Sequence, residues 1–77
     1  MPTVLRLDGF RFFFYSKESF EPPHIHVEQG DDVAKFWLEP VEIASSYGFS
    51  AKQLNQIRKL VVEHQPQLVQ AWHEYFN

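Results

Sequence analysis

Cysteine is absent from the chain. That excludes a disulfide framework, a thiolate metal centre and a cysteine nucleophile. It also fits a reducing compartment, and a cytoplasmic location is expected. Long apolar runs are missing too. The longest, such as Phe12-Phe13-Phe14-Tyr15, fall far short of the roughly 20 residues that cross a bilayer, so neither a membrane role nor a secretory leader is expected. Positive charge is scarce. Seven basic residues stand against ten acidic ones, the reverse of a protein that coats nucleic acid. A local basic site is compatible with that balance; a broad electrostatic footprint is not. Repeats, low-complexity tracts and linkers are lacking as well. The 77 residues read as one domain (1–77), near the lower end of what folds unaided.

The chain is rich in aromatic side chains, with eight Phe, three Tyr and two Trp. In so small a core each large side chain matters. Hydrophobic periodicity divides the chain into a sheet region (3–43) and a two-helix region (50–76). Residues 3–7 and 10–15 read as strands joined by Asp8-Gly9, a strong signal for a two-residue type I′ hairpin. That register sets Leu7 opposite Phe10, Leu5 opposite Phe12 and Thr3 opposite Phe14, with Arg6 facing Arg11 and Val4 facing Phe13 on the other side. Residues 16–23 form a loop ending in Pro22-Pro23, which lack the N–H groups a ladder needs. Residues 24–28 alternate, Gln29-Gly30-Asp31-Asp32 is turn chemistry, and residues 33–37 return as a fourth strand. Val27 then faces Ala34, Ile25 faces Phe36, His26 faces Lys35 and His24 faces Trp37. A short extended piece is expected at 41–43, after Pro40.

Ser50 reads as a helix N-cap and Gln53 completes a capping box, with Phe49 stapling onto Leu54. Leu54, Ile57, Leu60 and Val61 make one apolar stripe. Pro66 breaks that helix and can open a second, whose stripe is Leu68, Val69, Trp72, Tyr75 and Phe76, read as core. The expected fold is α+β: a four-stranded, two-hairpin antiparallel sheet with two C-terminal helices packed on one face.

The helix-facing side of this sheet is nearly all apolar. The opposite side gathers Val4, Arg6, Arg11, Phe13, Tyr15, His24, His26, Glu28, Lys35 and Trp37. Arg6 across from Arg11 is unfavourable by itself. Its ordinary explanation is that each arginine meets an acid, Glu28 or Asp8. Its functional explanation is an anion clamp. His24 and His26, two apart on a strand, project from the same side. They serve as half-exposed surface histidines, as an acid and base in proton transfer or phosphate binding, or as metal ligands, in that order of preference. Metal ranks last because the third ligand is unconvincing: Glu28 shares the face but lies two residues further on, and His64 and His73 sit on helices expected to cover the opposite face. No metal and no cofactor are expected. Phe13, Tyr15 and Trp37 suit a protein interface first and base stacking second.

Three segments carry a resemblance: Pro2-Thr3-Val4-Leu5 with Gly9-Phe10-Arg11-Phe12-Phe13-Phe14-Tyr15-Ser16, then Glu21-Pro22-Pro23-His24-Ile25-His26-Val27, then a terminal helix with Trp72. Together they resemble the small bacterial family named domain of unknown function 4160. The resemblance implies a prokaryotic cytoplasmic protein with a small protein partner encoded by a neighbouring gene, in a toxin–antitoxin-like pair. It carries over no catalytic residue. The expected function is therefore a member of such a pair, either a metal-independent RNA-cleaving or RNA-binding module or a non-catalytic interaction domain. A His-dependent metal protein ranks behind both. In the enzymatic version His24 and His26 are the catalytic base and acid, Arg6, Arg11 and Lys35 steady the phosphate, and Tyr15 or Trp37 stacks on a base. Homo-oligomerisation is left open.

Overall fold

The computed structural model describes residues 3–76. Five strands precede two helices: β1 Thr3–Leu7, β2 Phe10–Phe13, β3 His24–Gln29, β4 Asp32–Leu38, β5 Val41–Tyr47, α1 Ala51–Glu63 and α2 Gln65–Phe76. The strands form one antiparallel sheet in the order β1-β2-β3-β4-β5, so β1 and β5 are its edges. The sheet thus has five strands where sequence patterning gave four. The extended piece expected at 41–43 continues to Tyr47 and pairs along β4. Two physical causes hide it. Six of its seven residues are exposed, so burial imposes no alternation. The register also shifts between Lys35 and Phe36, which pair with Ser45 and Ile43. Ala44 is left as the extra residue, and a bulge of this kind interrupts a period of two.

The first hairpin turns as Asp8-Gly9 requires. Both residues have positive φ, 51° and 85°, the backbone of a type I′ turn. Leu7↔Phe10, Arg6↔Arg11 and Leu5↔Phe12 pair as expected, but Thr3 then pairs with Phe13. The expected pairs Thr3–Phe14 and Val4–Phe13 are therefore not formed. The shift lies between Thr3 and Leu5, and Val4 packs against the core instead of lying on the polar side. The second hairpin is tighter than the four-residue loop expected. Gln29 pairs with Asp32, and Gly30 at φ 60° takes the first central position. The pairs further along (Val27–Ala34, His26–Lys35, Ile25–Phe36, His24–Trp37) all form.

Phe10, Phe12, Phe14, Ile25, Val27, Phe36 and Leu38 make one buried cluster with Ile57 and Val61 of α1 and Leu68 and Trp72 of α2. Both helices therefore cover the side of the sheet that carries the phenylalanines. The α1 cap is reciprocal. Gln53 N donates to Ser50 Oγ at 3.1 Å, and Ser50 N donates to Gln53 Oε1 at 2.9 Å. His64 ends α1 and α2 starts at Gln65, one residue before Pro66. Tyr75, expected in the core, stacks on Phe14 but stays 41% exposed. No described helix is long and apolar enough to cross a membrane.

Candidate functional site

The uncovered side of the sheet has a buried floor. Phe13 points there by strand alternation, yet it is only 2% exposed. Three neighbours enclose it. The His26 ring stacks on it at 5.6 Å, the Tyr15 ring meets it edge-on at 5.2 Å, and the Arg11 guanidinium lies 4.3 Å above it. Its partner on β3 is His26. Sequence patterning placed Phe13 on this face but not beneath it.

The loop between β2 and β3 carries what the strands alone do not. Glu18 and Glu21 fold back over the start of β3. Glu18 Oε1 accepts a hydrogen bond from His24 Nε2 at 2.9 Å and another from His26 Nε2 at 2.7 Å. His24 Nδ1 lies 3.0 Å from the Pro22 carbonyl oxygen and 3.5 Å from Glu21 Oε1. The same Glu21 oxygen accepts from Lys35 Nζ at 2.7 Å. His24 has no exposed surface at all. Trp72, at 4.8 Å, and Trp37, at 5.7 Å, wall its ring. His26 is partly exposed.

Two protonation equilibria are displaced here. Burial pushes the His26 imidazolium down from its usual value, despite the raising effect of Glu18. For Glu18, burial works upward, but the hydrogen bonds from His24 and His26 and their attraction outweigh it and hold the carboxyl below its ordinary value. The favoured state is a neutral His26 donating its Nε2–H to an ionised Glu18.

The cations on this face are mostly engaged. Arg11 Nη1 pairs with Glu28 Oε1 at 2.6 Å and its Nε donates to Thr3 Oγ1 at 2.8 Å. That answers the Arg6–Arg11 opposition for Arg11, through Glu28, its cross-strand partner on β3. Arg6 is exposed, and it makes no ion pair among the described residues. Lys35 lies 4.5 Å over the Trp37 ring while it binds Glu21.

The structure brings His24, His26, Tyr15, Lys35 and Trp37 into one connected neighbourhood. Arg11 joins it through Phe13, and Arg6 remains at the β1 edge. Glu18 and Glu21 were missed by sequence reasoning. The signal available was their spacing ahead of Pro22-Pro23-His24-Ile25-His26, but a loop has no periodicity from which to read a direction. Beside His26 a cleft of about 260 Å³ opens, lined by Phe13, Tyr15, Lys35, Ser45 and Tyr47 among others. Its floor belongs to β2, β3 and β4 and its wall to β5.

Residues 9–73 match the family model described as Domain of unknown function (DUF4160). The chain belongs to that family. The DUF4160 match takes in both histidines, both loop glutamates, the whole of β2 to β5 and nearly all of the helical pair. Among curated proteins and among solved structures, none matches the chain.

Proposed function

We propose that this DUF4160 protein is the partner-binding member of a two-protein, toxin–antitoxin-like pair in a prokaryotic cytoplasm. It holds its small protein partner on the β5 side of the sheet, with a partner side chain seated in the Tyr15–Tyr47 cleft. The observation that carries this reading is the state of that side. Edge strand β5 is exposed at six of seven positions, and three large apolar residues, Tyr15, Val33 and Tyr47, stand exposed around one cleft. A free strand edge is a template for an added strand, and pockets beside it select side chains. Exposed aromatics next to a groove are the usual anchors of a protein interface.

The RNA-cleaving version has weaker support. His24 has no surface on which to meet a substrate. Arg11 and Lys35 already face carboxylates, and the net charge of −3 opposes a polyanion.

The test is co-expression with the product of the adjacent short reading frame, followed by size-exclusion chromatography. A stable complex is expected, lost with Tyr47→Asp while the variant stays folded. Absence of a complex would defeat the reading. So would a complex indifferent to Tyr47→Asp, or RNA co-eluting in place of protein. Growth arrest on expressing either protein alone would assign the roles within the pair.

A further inference from the structure

Glu18, His24 and His26 each offer one ligand atom, and these atoms all lie within 4.8 Å of one another. No other group of three such residues is found among the described residues. The distances are already those of a converged site: one carboxylate oxygen stands 2.9 Å from one Nε2 and 2.7 Å from the other. A cation with bonds of about 2.0–2.2 Å to each donor would replace the bridging protons with small outward shifts.

The backbone explains the convergence. Strand alternation sends His24 and His26 to the same side. Pro22-Pro23 ends the loop that returns Glu18 above them.

Second contacts orient the donors as metal ligands are oriented. His24 Nδ1 is 3.0 Å from the Pro22 carbonyl. With Nδ1–H donating there, a cation that displaces the Nε2 proton would meet an Nε2 lone pair already aimed at the site, the arrangement that fixes the tautomer of a ligating histidine. The His24 ring cannot turn away, because Trp37 and Trp72 pack against it. Phe13 and Tyr15 contact His26 on its own side.

Stability alone does not account for the cluster. Polar and charged groups buried in a small domain commonly add no more than apolar residues of equal volume would. The cluster nevertheless lies between the cleft and the α2 side of the core, where Trp72 touches it.

We propose that Glu18 Oε1, His24 Nε2 and His26 Nε2 form a mononuclear site for a divalent transition metal of the zinc or ferrous-iron type. Two imidazoles and one carboxylate, without thiolate, suit such ions rather than cuprous copper or calcium. Three protein donors leave a coordination position for water or a ligand, as in catalytic rather than structural sites. His26 also lines the cleft, so the metal would border it. This inference reverses the low rank that sequence spacing gives to metal, because the third ligand comes from the loop. It is independent of the partner reading, since the titration below needs no second protein.

The test uses tag-free full-length protein, stripped with chelator and titrated calorimetrically with Zn2+, and with Co2+ as an optical probe. One equivalent is expected, with visible Co2+ bands typical of mixed nitrogen and oxygen ligation. His26→Ala should weaken binding by roughly a hundredfold, and Glu18→Gln, which keeps shape and removes charge, by at least about tenfold. His26→Gln serves if His26→Ala does not fold. His73→Ala on the exposed face of α2 should change nothing. The site is refuted if folded wild-type protein takes up neither ion saturably at millimolar concentration. It is also refuted if uptake survives both ligand substitutions or depends on His73.

Discussion

Replacing Phe13 tests whether the polar side of the sheet has a core of its own. The side chain is 2% exposed. A buried Phe withdraws roughly 150–200 Å² from water, about 4–5 kcal/mol at ~25 cal/mol per Å². Its stacking with His26 and edge contact with Tyr15 add about 0.5–1.5 kcal/mol each, and the Arg11 cation about 0.5–1. Denatured-state compaction trims the burial figure by roughly 10–40%. Phe13→Ala should therefore cost about 3–5 kcal/mol, as much as Phe12→Ala on the helix-covered side. In a domain this small that approaches the whole stability, so Phe13→Leu is the informative companion. It keeps most of the apolar area and loses the ring contacts, and should cost about 1–2 kcal/mol. Urea unfolding followed by tryptophan fluorescence measures both. With a slope near 1 kcal/mol per molar urea, the Leu variant shifts the midpoint by about 1–2 M. If Phe13→Ala unfolds within about 1 kcal/mol of wild type, the residue is a surface side chain and the two-sided packing described above is wrong.

The metal-free protein should lose stability as acid is added, from two groups in succession. His26 is depressed when folded, so below about pH 6.5 the unfolded chain takes up that proton first and stability falls. Glu18 is also depressed, so its contribution is present above about pH 4.5 and disappears below it. Lys35 and His24 oppose the His26 charge while Glu18 favours it. Urea midpoints in chelator at pH 8, 5.5 and 4 measure the course. A midpoint unchanged between pH 8 and 5.5, or a slope that His26→Gln leaves intact, would contradict it. Gly48 offers a backbone test. Its φ is 92°, and a Cβ there would overlap the Asp32 carboxylate. Gly48→Ala should cost about 1–2 kcal/mol or more; a neutral change by thermal denaturation would show that this turn relaxes freely.

Elements with strong local chemistry were legible from the chain. Asp8-Gly9 gave the first turn and its nearest pairs, and His24 to Val27 gave the β3–β4 register. Ser50 with Gln53 gave the start of α1. What failed to show depends on non-local packing. The shift near Val4 and the extra residue at Ala44 break the period of two, and β5 buries too little to alternate. The site was half legible. Alternation put both histidines and Arg11, Lys35 and Trp37 on one face. It could not say that His24 would be sealed by Trp72 from a helix on the other side, nor that Glu18 would return from a ten-odd-residue excursion to meet both rings. Loop direction is set by the groups that capture it, and those are distant in sequence.

The strand order β1-β2-β3-β4-β5 has a consequence for the chain while it is being made. Each strand pairs with the next one synthesised, so the sheet can form progressively behind the ribosome without waiting for a distant segment. Its apolar side cannot be covered until Ala51–Phe76 has been added. At ~5–20 residues per second that stretch takes roughly 1–5 s. Until then the side that carries Phe10, Phe12, Phe14, Ile25, Val27 and Phe36 lacks its cover. A chain truncated after Gly48 and released would carry these apolar residues with no means of hiding them. The last third of the gene therefore acts as the solubility switch for the first two.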